Sequence, residues 1–373
     1  MALTSGTRVA IVSYSMTAAS TLKKAEILGR ACRLTLIRPS RWSWYAPESA
    51  PALPGVRVID LPVVLPGRHH FHSYRGLGAA LRQMQPELLY VDQEPWSWST
   101  FQAVRVGRSL GARIVGFTWQ NILKRYPPPF NWLEAYVHRA THVMIAGNEE
   151  AAAILRRRGF TGRITVVPQF GVDATVFYPR PPGPRRLGVP EGAVVFGFVG
   201  RLVREKGLQT LIEAAERIPN AHVAIAGVGP FQRDLEALVY RLGLKSRVSF
   251  LGGFSSTDVA DVIASFDALV LPSLTTPRWK EQFGRVLIEA MACGVPVVGS
   301  TSGEIPNVIG DAGLLFTEGD RDSCGDAIAS LMPPAKRAEL GARGQARVAR
   351  MFTQERIAER TLDAWRLAWG APD

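Results

Sequence analysis

The 373-residue chain is 47% hydrophobic and has only three cysteines, Cys32, Cys293 and Cys324, in no CxxC spacing; this excludes a disulfide framework and a cysteine-built zinc cluster and fits a reducing compartment. Its net charge of +12 is unevenly placed: residues 1–171 hold 21 Lys and Arg against 9 Asp and Glu, a net of +12, whereas residues 172–373 hold 23 of each, a net of zero. The basic excess of the first half is expected to meet an anionic membrane surface, a lipid headgroup or a lipid-linked phosphate rather than nucleic acid.

The amino-terminal apolar run is too short for a signal-peptide core, and no stretch approaches the ~18 apolar residues of a membrane span. A cytoplasmic enzyme is expected, at most peripheral at the inner face of the plasma membrane. Short apolar runs at residues 8–14, 34–37, 56–61, 88–91, 114–117, 143–146 and 164–167 alternate with helical patterns. Such repeated β-α units predict a parallel, doubly wound sheet. The alternation restarts at Val194 after a Pro- and Arg-rich segment, residues 178–192. The expected architecture is α/β, with two Rossmann-like domains at residues 1–171 and 193–351, a linker at 172–192 and a terminal amphipathic helix within 352–373. Ligands of such sheets bind beyond the carboxyl ends of the strands, here in an interdomain cleft.

Several strand-end loops are distinctive. PSRWSWYAP (39–47) carries Trp42, Trp44 and Tyr45, and PGRHHFHSYRG (66–76) carries three histidines beside Phe71 and Tyr74. Rings beside cations suit an interfacial or acceptor-binding surface, or else pack locally against the next helix. The histidines have no acidic or cysteine ligand nearby, and His138 and His142 lack the glutamate of HExxH, so no metal site is expected. YVDQEPWSW (90–98) places Asp92 and Glu94 at a strand end; Asp92 and Glu94, like Asp320-Arg321-Asp322, imitate a DxD metal pair. Asp320 is expected to cap a helix, and Glu94 to face the acceptor.

The most informative stretch is KEQFGRVLIEAMACGVP (280–296), in which Glu281 and Glu289 stand eight positions apart around a helix that begins near Gly284. Gly284 admits a ligand to the backbone, the helix start offers free N–H groups, and two carboxylates accept hydrogen bonds from hydroxyls. Upstream, GRLVREKG (200–207) follows the strand that begins at Val194. Its Gly200 allows close approach, and Arg201 and Lys206 are placed to clamp a diphosphate. GVGP (227–230) looks like a dinucleotide turn.

With LPS (271–273), ACGVPVV (292–298) and SGEIPNVIGDAG (302–313), these motifs resemble the donor-binding half of the family 4 glycosyltransferases, retaining enzymes of the GT-B fold. The resemblance is strong over residues 194–320. It implies transfer of a sugar, with retained configuration, from a nucleoside diphosphate sugar (UDP or GDP) to an acceptor hydroxyl on a lipid, lipid-linked or glycan acceptor. No cofactor and no metal are implied. Arg201 and Lys206 would stabilise the leaving diphosphate, Glu281 would hold sugar hydroxyls and Glu289 the ribose, with Phe283, Gly284, Arg285 and Gly303 lining the donor. The last helix would cross back to the first domain. Two departures stand out: Gln120 occupies a position where many members have a reacting-site His, and Asn307 stands where a Glu is frequent. Two other readings of the same fold are a sugar-nucleotide epimerase or hydrolase, which needs no acceptor, and a non-catalytic nucleotide-sugar or anionic-lipid binding module.

Overall fold

A computed structural model describes residues 3–17, 19–42, 53–181, 189, 192–255 and 258–370. The chain divides into two compact units, Met1–Gly171 with Gln354–Asp373, and Val172–Thr353.

In the first unit the short β-branched runs become strands: β1 (Arg8–Ser13), β2 (Arg33–Pro39), β3 (Val56–Leu61), β4 (Val63–Val64), β5 (Ser73–Tyr74), β6 (Leu88–Asp92), β7 (Arg113–Thr118), β8 (Val143–Ala146) and β9 (Arg163–Val166). Between them lie α1 (Ala19–Gly29), α2 (Leu77–Met84), α3 (Trp98–Ser109), α4 (Phe130–Ala140) and α5 (Glu149–Arg157). Seven strands pair in parallel in the order β3-β2-β1-β6-β7-β8-β9, and β4 and β5 form a separate antiparallel ribbon. Helices cover both faces, so inner strands such as β6 are buried on both sides and read as continuous apolar runs. One core layer gathers Ile11, Leu36, Tyr90 and Phe117; the other gathers Val12, Leu77, Val91 and Val104.

The second unit repeats the plan with β10 (Val194–Val199), a 3₁₀ turn (Arg204–Lys206), α6 (Leu208–Glu216), β11 (Ala221–Ala226), α7 (Gln232–Arg241), β12 (Val248–Gly252), α8 (Val259–Ala264), β13 (Ala268–Leu271), α9 (Arg285–Ala292), β14 (Val297–Ser300), α10 (Ile305–Ile309), β15 (Gly313–Phe316), α11 (Arg321–Ala329) and α12 (Pro334–Met351). Its sheet order is β12-β11-β10-β13-β14-β15, all parallel. The Asp320 carboxylate accepts from the Asp322 and Ser323 amides at 2.9 and 3.0 Å, which makes it the cap of α11.

The final helix, α13 (Gln354–Leu367), packs within the first unit against α1, where Trp365 is fully buried 5.6 Å from the Tyr90 ring. Part of the segment expected as linker packs onto the second unit: Val172 N donates to Phe352 O at 2.8 Å, Phe177 is buried, and Arg180 pairs with Asp261. All three cysteines are buried and unpaired. Among the described residues no helix is long and apolar enough to cross a membrane.

Candidate functional site

In the second unit the ends of β10, β13 and β14 bring three sequence-distant loops together. Beyond β10, Gly200 N is tied to Ala226 O at 3.0 Å, and the chain turns through the 3₁₀ segment that carries Lys206. Lys206 Nζ lies 2.6 Å from Glu281 Oε2, and the same oxygen accepts from Ser273 Oγ at 2.7 Å. The Lys206 ammonium also stands 5.1 Å from the centre of the Trp279 ring. Partly buried Lys206 and buried Glu281 thus match each other's charge, while Arg201 is exposed and makes no ion pair among the described residues.

Two glycines make this convergence possible. A Cβ on Gly207, at φ 65°, would sit 2.0 Å from Pro272 O; one on Gly303, at φ 54°, would sit 2.0 Å from Glu281 O. No side chain fits at either contact, and both backbones lie in the left-handed region that glycine adopts without strain. Glu304 N donates to Glu281 O at 3.1 Å and seals the junction of the two loops.

Gly284, at φ 78°, precedes α9, and Phe283 is buried edge-on to Phe352 at 5.8 Å. One turn into α9, Glu289 is buried with its carboxylate 2.9 Å from Arg285 Nε. Burial pushes the Glu289 carboxyl above its ordinary range, and Arg285 opposes that rise. Glu281 and Glu289 therefore hold different partners. Asn307 Nδ2 donates to Glu304 Oε2 at 3.2 Å, so this departure from the family pattern is absorbed by a local hydrogen bond.

In the first unit the strand ends hold a buried polar network. Asp92 accepts from Ser13 Oγ at 2.8 Å, Ser15 Oγ at 3.1 Å and Tyr90 OH at 3.0 Å. Lys24, 1% exposed, donates to Gln169 O at 2.8 Å, and the Gln169 side chain links Ser15 Oγ (2.9 Å) to Trp119 Nε1 (2.8 Å). Burial lowers the Lys24 ammonium to about 8, with Asp92 opposing. Glu94 accepts from Thr118 Oγ1 at 2.7 Å and from Trp119 N at 2.9 Å, and burial pushes its carboxyl up to about 7 against these bonds. Gln120 is buried, and its Nε2 reaches Ile122 O at 3.2 Å.

Trp42 needs a correction. It is 5% exposed, stacked on Tyr14 at 4.9 Å and edge-on to His72 at 4.8 Å, so it does not present its ring to a bilayer; packing with these distant aromatic partners prevails over the interfacial reading of its loop. Trp44 and Tyr45 lie outside the described residues. His72 is itself buried, with Nε2 2.7 Å from Ser99 Oγ, and among the described residues no three His, Cys, Asp or Glu side chains converge as metal ligands. Sequence reasoning missed Lys24, Ser273 and Trp279. Only Ser273, inside the LPS motif, carried a signal that could have found it.

Residues 180–347 match the family described as glycosyl transferases group 1. That segment is similar to the group 1 glycosyl transferases. The match contains Arg201, Lys206, Glu281 and Glu289 and agrees with the family 4 resemblance of the motifs. D-inositol 3-phosphate glycosyltransferase of Mycobacterium tuberculosis is 32% identical over 250 residues, 63% of this chain and 50% of that relative, so the match spans about half the relative's length. Sucrose-phosphate synthase from Thermosynechococcus elongatus superposes with a TM-score of 0.77 at 22% identity, covering 98% of this chain and 100% of that one. The Anabaena protein HepE, in complex with UDP, gives 0.73 at 19% identity over 96% and 99%. These likenesses show the fold of this chain, GT-B, built from two Rossmann-like units.

Proposed function

We propose that this chain is a retaining glycosyltransferase that moves a sugar from a nucleoside diphosphate donor to a hydroxyl of a lipid, lipid-linked or glycan acceptor, without metal or cofactor. The observation that carries the reading is the convergence of Lys206, Glu281 and Ser273 at the strand ends of the second unit, inside the segment that matches the transferase family. Donor diphosphate oxygens displace Glu281 as the partner of Lys206, and exposed Arg201 adds a second positive charge. Cations aimed at the leaving group stabilise the charge that builds there, which is usually the main source of rate enhancement in such a transfer. The released Glu281 carboxylate accepts hydrogen bonds from sugar hydroxyls, and Glu289 from the ribose. The amides of Phe283, Gly284, Arg285 and Gly303 face the donor. The first unit takes the acceptor: Glu94, held by Thr118 and Trp119, fixes the loop that carries Gln120. Gln120 orients a hydroxyl but cannot titrate, so the departing phosphate oxygen takes the acceptor proton on the face it leaves.

A nucleotide-bound solved neighbour and a curated relative that glycosylates an inositol phosphate support a nucleotide-sugar donor and a polyhydroxyl acceptor. The test is turnover with UDP- and GDP-sugars and a panel of acceptors, with and without chelator, and NMR of the product's anomeric proton. Acceptor-dependent product of unchanged anomeric configuration in EDTA is expected. An inverted anomer, product from donor alone, or activity abolished by EDTA and restored by manganese contradicts the proposal.

A further inference from the structure

The end of the first unit's sheet opposite Glu94 carries a basic cavity that the transferase reading does not use. Parallel pairing places Arg8 of β1 directly beside Arg33 of β2, and Arg57 of β3 beside Thr35, two residues further along β2. Side chains two apart point to one face of a sheet, so all three arginines project on the same side. Adjacent strands lie about 4.8 Å apart, which puts three long guanidinium side chains within reach of one small group. They line a cavity of about 520 Å³ with Thr35, Gln83 and Met84, and among the described residues no carboxylate lines it. Arg8 is held by Gln85 O at 2.8 Å and lies 3.6 Å from Glu87. Arg33 and Arg57 are exposed and make no ion pair among the described residues.

Like charges on neighbouring strand positions repel, and one carboxylate beside Arg8 leaves two of the three cations without a partner among the described residues. An anion seated among them removes that repulsion, and a phosphate offers three oxygens to planar guanidinium donors.

We propose that the cavity at the amino ends of β1, β2 and β3 is a phosphate-binding site, distinct from the diphosphate clamp of the second unit, that takes a phosphate monoester. The ester is either a soluble sugar or polyol phosphate or the headgroup of an anionic lipid. It deepens the charge asymmetry of the sequence into a located site, and it stands whether or not the transferase reading holds.

The test uses the full chain at constant ionic strength, with inorganic phosphate against chloride, read by hydrogen exchange. Phosphate should protect peptides spanning residues 30–36 and 55–60, and Arg33→Gln with Arg57→Gln should weaken that protection at least tenfold in phosphate concentration while circular dichroism is unchanged. Arg57→Gln alone serves if the double variant fails to fold. Protection in Arg201→Ala should match the wild type. Glycerol 3-phosphate and phosphatidylcholine vesicles containing phosphatidic acid separate the sources: an arginine-dependent effect of the first assigns a soluble ester, of the second a lipid headgroup. No protection of these strands by any probe, equal protection by chloride, or protection undiminished in the arginine variants overturns the proposal.

Discussion

The strand ends of the second unit and those of the first are built from the same βα plan but match their charges differently. In the second unit Lys206 is partly buried and Glu281 buried, tied to each other and Glu281 also to Ser273, and Arg201 is left exposed. Such a pair can exchange partners when a polyanion arrives. In the first unit Asp92 and Lys24 are buried and Glu94 is partly buried, held by serine, tyrosine, threonine and backbone groups, with desolvation shifting Lys24 down and Glu94 up. On the proposed function, the second unit's end trades its ion pair for the donor, and the first unit's end is a fixed frame beside the acceptor.

Disturbing the frame should cost folding, while disturbing the clamp should cost turnover. The largest effect is expected from Trp42→Ala, which empties a stacked aromatic site and should destabilise by ~3–5 kcal/mol in chemical denaturation, the range for buried aromatic truncations. A loss below 1 kcal/mol with altered vesicle binding would instead return Trp42 to the surface. Next, Lys206→Ala or Arg201→Ala should lower turnover at saturating donor by ~10²-fold, as for removal of one electrostatic stabiliser, with the melting temperature little changed. Full activity in both variants would remove the clamp. Gly303→Ala belongs to both categories, because its Cβ would meet Glu281 O at 2.0 Å. It should lower stability by more than ~1 kcal/mol and disorder Glu281, and a Tm equal to wild type would show that the loop junction yields.

The smallest effect concerns Glu94. Its carboxyl titrates at about 7 in the folded chain, above its ordinary value of 4.5, because of burial. The folded state therefore holds the proton more tightly. The associated stability is complete below pH 4.5 and is lost as pH rises through 7, with a slope of at most ~1.4 kcal/mol per pH unit. Glu94→Gln does not titrate, so its stability relative to wild type should rise across that window. Parallel curves for the two proteins would show that Glu94 is ionised throughout.

The same contrast explains what was legible in the sequence. Alternating apolar runs disclosed both parallel sheets, and the donor-side motifs stood out because each is a contiguous loop at a strand end, punctuated by glycines that the backbone contacts at Gly207 and Gly303 require. The β4–β5 ribbon escaped notice because two-residue strands carry no period. The pairing of Lys206 with Glu281 spans 75 positions and depends on the sheet order that brings β10 beside β13. Trp42 misled because aromatic and basic neighbours in sequence do not reveal that Tyr14 and His72, from two other loops, enclose the ring. Lys24 gave no signal at all: in an amphipathic helix pattern a lysine reads as solvated, and the groups that hold it inside, Gln169 O, 145 positions away, and the nearby Asp92 charge, are distant in sequence.

The most direct test of the central claim is donor binding to the second unit's clamp, measured as the thermal shift of the full chain with a panel of nucleoside diphosphates and their sugars. A ligand at a hundred times its dissociation constant stabilises by about 2.7 kcal/mol. The account predicts that one nucleotide series raises the melting temperature of the wild type, and that the rise is largely lost in Lys206→Ala and Glu289→Gln. A panel without any shift, or a shift undiminished in both variants, would contradict it.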